Sequence, residues 1–344
     1  MAGARGYHTY RGRTPKGKIA LAVVLVLIIL ASAVFIFIQQ FVVYDASGTP
    51  HVQLPGSQTQ QEDTTSDQDT EDVELTIDTP EVTGVHLTQL APEPLTQAAA
   101  QAALTAGGDG VAVTLKDSEG YVYYDTAMPQ AAASIQTEAD TAAALAALTG
   151  NEDCYTVARI SCLLDPRAAR ADVEGMGLKN TGGYIFYDGN NLNWLDPAKT
   201  GTQEYLGGLV KECAAMGFDE ILLTDVSFPT EGKLNKIAYP AAGLPESIRA
   251  FLMAMDTALA DYPDVKLSVE LPEQVITLGQ DATAGLVLQE IAPLVDRIYA
   301  PTTEASVSAL EMAVKAAGEN TEFIPELAAV PADGEQPYLL TAQS

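Results

Sequence analysis

The sequence predicts a (β/α)8 barrel of the TIM type behind a single membrane span. Over residues 82–341, short β-rich runs alternate with alanine-rich helical stretches, the pattern of repeated βα units on one parallel sheet. The clearest unit is Gly217-Phe-Asp-Glu-Ile-Leu-Leu-Thr-Asp-Val-Ser-Phe-Pro229. There glycine ends a helical pattern, an apolar run starts at once, and polar residues appear at its carboxyl end. Nearer the amino terminus, the 20 residues 19–38 carry no charge. At about 1.5 Å per helical residue they match a hydrocarbon core of about 30 Å.

Residues 1–18 hold Arg5, Arg11, Arg13, Lys16 and Lys18 and no acid. This positive flank predicts a cytoplasmic basic tail, with the body outside the plasma membrane. Residues 19–38 form the transmembrane anchor. A cleaved signal peptide is the alternative, because Ala31-Ser-Ala33 offers small residues for cleavage; either way the body is exported. Residues 39–80 read as a disordered acidic linker, rich in Gly, Pro, Gln, Ser and Thr, with too few apolar groups to repay ordering. The barrel takes residues 81–344.

Within the barrel the expected strands are 82–88, 110–116, 155–162, the run after Gly217, 265–270, 295–299, 323–327 and 338–341. The expected helices follow Pro94 and span 138–148, 200–215, 244–260, 283–292 and 303–317, with the final helix missing. Residues 121–124 suit a small extra strand above the sheet. The excursion 165–198 is long for a compact domain, and such loops carry function or close over a site. An open doubly wound sheet is the alternative, but no glycine-rich phosphate loop follows a strand.

Five of the 18 Lys and Arg precede the span, which leaves 13 against all 46 acids and a net charge of −33 on the exported part. Nucleic acid and anionic lipid both need a basic surface, so neither is expected as a partner. Membrane contact runs through the N-terminal helix alone. The three cysteines, Cys154, Cys162 and Cys213, form no CxxC, and His86 is the one histidine of the body. No metal site or cofactor is expected, and the thiols read as buried and free.

At period two, the polar residues near strand carboxyl ends are His86, Thr114 with Lys116, Arg159, Thr224, Glu270, Tyr299 and Glu326. A barrel brings them around one mouth. Lys116 and Arg159 lie in apolar runs, where charge is costly unless paired, and Glu270 and Asp165 are the natural partners. Strict alternation sends Asp225 toward the helices unless the strand has already turned. Trp194 is the one tryptophan, in a loop rich in Asn, Gly and Tyr. It suits stacking on a sugar, or equally plugging of the loop onto the barrel, with Asp196-Pro197 capping helix 200–215. Glycoside hydrolysis needs two carboxylates, for which Glu270, Asp225, Glu326, Asp165 and Glu119 are available.

The segments Lys116-Asp-Ser-Glu-Gly-Tyr121, Ala158-Arg-Ile160 with Asp165-Pro166, and Trp194-Leu-Asp-Pro197 carry a family resemblance. So do Gly217-Phe-Asp-Glu-Ile221, Val226-Ser-Phe-Pro229, Ser268-Val-Glu270, Gly279-Gln280 and residues 296–301. Together they make residues 82–341 resemble the DUF4015 type of glycoside hydrolase, in the TIM-barrel glycosidase group. The resemblance implies the barrel and a carbohydrate partner, and it sets Glu270 on the family's fifth-strand acidic position. Such proteins read Phe-Asp-Tyr-Val-Arg-Phe-Pro in the fourth strand. Here Thr224 holds the Asp place, Asp225 the Tyr place and Ser227 the Arg place, while Thr114 replaces an Asp in the second strand.

These departures favour a barrel that binds a cell-envelope or extracellular carbohydrate with weak or lost hydrolysis, through Lys116, Arg159, Trp194, Thr224, Tyr299, Glu326 and His86. One alternative is an active glycoside hydrolase using Glu270 and Asp225. Another is a non-catalytic structural envelope protein.

Overall fold

The computed structural model describes residues 42–44, 50–52 and 86–341, apart from 107 and 333. The chain divides into two units, Met1–Thr76 and Ile77–Ser344. In the first, Val42–Tyr44 pairs antiparallel with Pro50–Val52. The expected basic tail, the anchor at 19–38 and the rest of the linker lie outside the described residues. Among the described residues no helix is long and apolar enough to cross a membrane.

The second unit is a closed barrel of eight parallel strands in sequential order. They are β1 His86–Gln89, β2 Gly110–Lys116, β3 Tyr155–Ser161, β4 Glu220–Thr224, β5 Lys266–Glu270, β6 Arg297–Pro301, β7 Glu322–Leu327 and β8 Tyr338–Leu340. Closure is made by β8 on β1, with Tyr338 opposite His86. The helices are α1 Gln97–Ala106, α2 Thr141–Thr149, α3 Pro166–Ala171, α4 Thr200–Ala215, α5 Leu244–Ala258, α6 Glu273–Leu278, α7 Leu288–Ile291 and α8 Val307–Ala317.

The expected helix 283–292 is a correction. Gly279 and Gly285 take φ of 78° and 75°, and the Asp281 carboxylate accepts from the backbone of Thr283 and Ala284. Together these close a small hairpin, Gln280–Asp281 against Leu286–Val287, and leave only the short α7. Asp196 is a second correction. It turns the chain by accepting from Ala198 N at 3.0 Å, while Lys199 is the N-cap of α4 and makes no side-chain cap bond.

Period-two alternation divides each strand between two cores. Ile221 and Leu223, Leu267 and Val269, and Ile298 and Ala300 pack outward against the helices. Leu87, Ala112, Val157, Leu222, Tyr299, Ile324 and Leu339 fill the barrel interior. Below this apolar layer, at the amino ends of the strands, Glu220 is fully buried and satisfied on three sides. It accepts from Arg297 Nη1 at 2.8 Å, Tyr155 OH at 3.0 Å and Ser268 Oγ at 2.6 Å. Arg297 Nε also donates to Glu322 at 2.8 Å.

Removing one partner of a buried ion pair leaves the other charge stranded, at a cost of about 3–5 kcal/mol. Glu220→Ala is expected to lose stability on that scale. The measurement is urea unfolding of the purified domain, with a fallen midpoint and an unchanged slope.

Candidate active site

At the carboxyl ends of the strands a second charged layer closes the barrel. Arg159 projects inward from the end of β3, and its forked guanidinium reaches two opposite strands. Nη2 donates to Glu270 Oε2 at 2.6 Å and Nη1 to Glu326 Oε1 at 2.9 Å. The planar fork suits this double, charge-assisted contact. Glu326 is nearly sealed, whereas Glu270 keeps 24% of its side chain open to the mouth.

Burial, followed by the charge of Glu326, pushes the Glu270 carboxyl up to about 7. Arg159 pulls the other way, and Asp225 adds to the push. Burial works against the Arg159 charge, yet its two carboxylates hold its pKa above the ordinary range.

Asp225 is in the mouth as well, by a route that alternation does not give. β4 ends at Thr224, and Asp225 takes φ of 54°, the left-handed region that Asp tolerates better than most residues. The chain turns there, and the carboxylate accepts from Ser161 Oγ at 2.6 Å, at the end of the neighbouring strand. Thr224 Oγ1 lies 3.5 Å from the same oxygen. Leu163 N donates to the Asp225 carbonyl at 3.1 Å and fixes the turned backbone.

Three carboxylates, one guanidinium and the hydroxyls of Thr224 and Ser161 therefore converge. A carboxyl that exchanges its proton near neutrality beside a second carboxylate is the group pair of acid–base glycoside chemistry. Among the described residues no group of three or more His, Cys, Asp or Glu is arranged to hold a metal ion.

Several expected mouth residues sit elsewhere. Lys116 is sealed from solvent, 3.0 Å from Asp165 Oδ2, whose side chain is equally closed, and it donates to the Ser161 carbonyl at 2.7 Å. A register shift between Thr114 and Lys116 marks an irregularity at the end of β2. Lys116 supports the segment carrying Ser161 and cannot touch a substrate. His86 begins β1 rather than ending it, and Nδ1 pairs with Asp109 at 3.1 Å at the closed end of the barrel. Tyr299 is wholly buried in the inner layer, two residues short of the mouth end of β6.

Trp194 is half-buried against the core. It bridges Leu164 through the backbone, and its indole donates to Asp188 Oδ2 at 2.9 Å. It plugs the excursion onto the barrel. The free thiols Cys162 and Cys213 are buried, and Cys154 is half-buried.

Ser161 was not among the expected residues, although it ends a strand beside Arg159 and alternation with Arg159 turns it the same way. The Glu220 layer was also legible as an inward series, Glu220, Leu222 and Thr224, on one strand.

No curated protein matches the chain. Among solved structures it is similar to a hypothetical protein from Ruminiclostridium thermocellum ATCC 27405, at 27% identity over 46% of this chain and 82% of that one, with a TM-score of 0.40. It is also similar to the glycoside hydrolase domain of PgaB (BpsB) from Bordetella bronchiseptica, at 15% identity over 70% of this chain and 83% of that one, with a TM-score of 0.47. The family model described as DUF4015, "Putative glycosyl hydrolase domain", matches residues 84–302, more than half of the chain. The chain therefore belongs to the DUF4015 family.

Proposed function

We propose that the barrel is a glycoside hydrolase acting on a cell-envelope or extracellular carbohydrate, held at the plasma membrane through residues 19–38. The observation that supports this reading is the left-handed turn at Asp225, whose carboxylate accepts from Ser161 at the end of β3 and whose charge helps to raise the Glu270 pKa. Glu270 donates its proton to the leaving glycosidic oxygen, since its carboxyl is still partly protonated near neutral pH. Asp225, oriented by Ser161, faces the positive charge that develops at the anomeric carbon. Arg159 and Glu326 position Glu270 and tune its acidity.

A second reading, binding with weak or lost turnover, rests on Thr114 and Thr224 standing where the family carries acids. Reducing-sugar release from a polysaccharide panel separates the two. Under the hydrolase reading, wild type releases sugar, and Glu270→Gln or Asp225→Asn each lowers kcat by about 10²–10⁴-fold while the fold is kept. Binding without release by wild type would leave the second reading.

The pH profile gives a signed test. The acid must carry its proton, so kcat/KM falls as pH rises through about 7. Glu326 raises the Glu270 pKa and Arg159 lowers it. Glu326→Gln should therefore move the alkaline limb to lower pH, and Arg159→Met should move it to higher pH. Limbs that stay in place in both variants would remove Glu270 as the acid.

Thr224 holds the family's Asp place, but Thr224→Asp adds no second site carboxylate without cost in this geometry. A carboxylate at Thr224 would lie against Asp225, whose Oδ2 is already 3.5 Å from the Thr224 hydroxyl. Like charges at that range repel, so sugar release should fall rather than rise.

A further inference from the structure

The connections after β3 and β4 are zipped together on the mouth side of the barrel. Residues 178–181 form a hairpin with 184–186, in which Asn180 N donates to Tyr184 O at 2.7 Å and Phe186 N to Leu178 O at 2.9 Å. The same segment pairs with 236–238 of the next connection, through Thr181 N to Lys236 O at 2.7 Å and Ala238 N to Lys179 O at 2.9 Å. Phe186 and Ile237 are buried beneath. The Asp188 carboxylate binds the backbone of Asn190 and Leu192 and the Trp194 indole, and Asn190 reaches Glu231 across the seam at 3.3 Å. The result is one braced knob rather than two independent loops.

This knob carries every large exposed aromatic among the described residues. Tyr184 is 75% exposed, Tyr187 46% and Tyr239 37%. The other large exposed apolar side chains, Met253, Leu278, Met312 and Val330, are aliphatic or thioether and scattered. Tyr239 is held edge-on by Phe228, with ring centroids 5.9 Å apart. Phe228 lies three residues beyond Asp225 on the same connection. Tyr239 and the candidate second carboxylate therefore share one continuous piece of chain, and Tyr184 and Tyr187 lie on the connection zipped to it.

We infer that Tyr184, Tyr187 and Tyr239 form an extended saccharide-binding rim, so that the substrate is a polysaccharide engaged over several sugar units beyond the one in the mouth. The inference rests on the glycoside hydrolase reading and deepens it. Tyrosine suits the role because its ring stacks on the C–H face of a sugar while its hydroxyl stays in water. A rim braced by two connections loses little entropy on binding. The strongly acidic body disfavours anionic glycans, so the occupant is a neutral or cationic chain.

The test uses the exported domain with Tyr184→Ala and Tyr187→Ala combined, both at exposed positions. Native gels containing hydroxyethyl cellulose, glycol chitin or glycol chitosan report binding in a Glu270→Gln background, and sugar release reports turnover in the active background. The expected result is retardation of the parent by at least one polymer, lost in the tyrosine variant. On that polymer KM should rise about tenfold with kcat unchanged. Equal retardation and equal KM in parent and variant would overturn the rim while leaving the hydrolase reading intact. No retardation and no release from any polymer would overturn both. Light scattering covers the remaining occupant: a dimer of wild type that becomes monomeric in the variant, with polymer binding unchanged, assigns the tyrosines to a second copy of this chain and overturns the inference.

Discussion

In a closed eight-stranded barrel only alternate side chains point inward, and an inward charge finds its partner across the interior or nowhere. This barrel meets that constraint twice. Arg297 with Glu220 and Glu322 closes the amino end, and Arg159 with Glu270 and Glu326 closes the carboxyl end. Between them lies the apolar layer of Val157, Leu222, Tyr299 and Ile324. The lower layer is saturated by hydroxyls from Tyr155 and Ser268. In the upper layer Glu270 keeps a quarter of its side chain open. Similar chemistry thus yields a sealed plug at one end and a solvent-open cluster at the other, and the difference is solvent access.

The upper layer also sets acidity against stability. A guanidinium alone would hold a carboxylate ionised, but Arg159 is divided between two acids, and a third lies close by. The native state therefore keeps a proton on Glu270 that the unfolded chain releases at lower pH. With the folded pKa raised, this group favours the folded state below the ordinary Glu range and loses that contribution as pH rises toward about 7. The same crowding that keeps a proton on Glu270 toward neutrality weakens the fold there.

Much of the barrel was legible because each βα unit repeats one signal, as in the unit from Gly217 to Pro229. Alternation also placed Arg159 together with Glu270 and Glu326, 111 and 167 positions away. It misplaced His86, because β1 begins at that residue and the side chain falls at the closed end. Tyr299 was misjudged by depth rather than by face: it points inward, but one layer too low. Lys116 has the partner the sequence offered, Asp165, but the irregularity near the end of β2 breaks the simple count that set it in the mouth. The hairpin at 280–287 escaped because its glycine φ values are properties of the folded backbone.

Asp225 is the instructive case, since the sequence alone makes it look like a lost site. A Thr in the family's Asp place implies a missing carboxylate only if the backbone continues as a strand. It does not. The left-handed φ of Asp225 is one of two such values at non-glycine residues among the described residues. A strained conformation of this kind persists only where its surroundings enforce it. Here the enforcement is visible: Ser161 holds the carboxylate, Leu163 holds the carbonyl, and Lys116 ties down the Ser161 backbone from behind. Lys116 in turn is bound to Asp165, which caps α3 through the backbone of Arg167 and Ala168. A chain of buried polar contacts thus runs from the start of α3 to the turned residue. Asp225, one position beyond the family's Asp place, is turned by one dihedral toward Ser161 and kept there by buried contacts behind it.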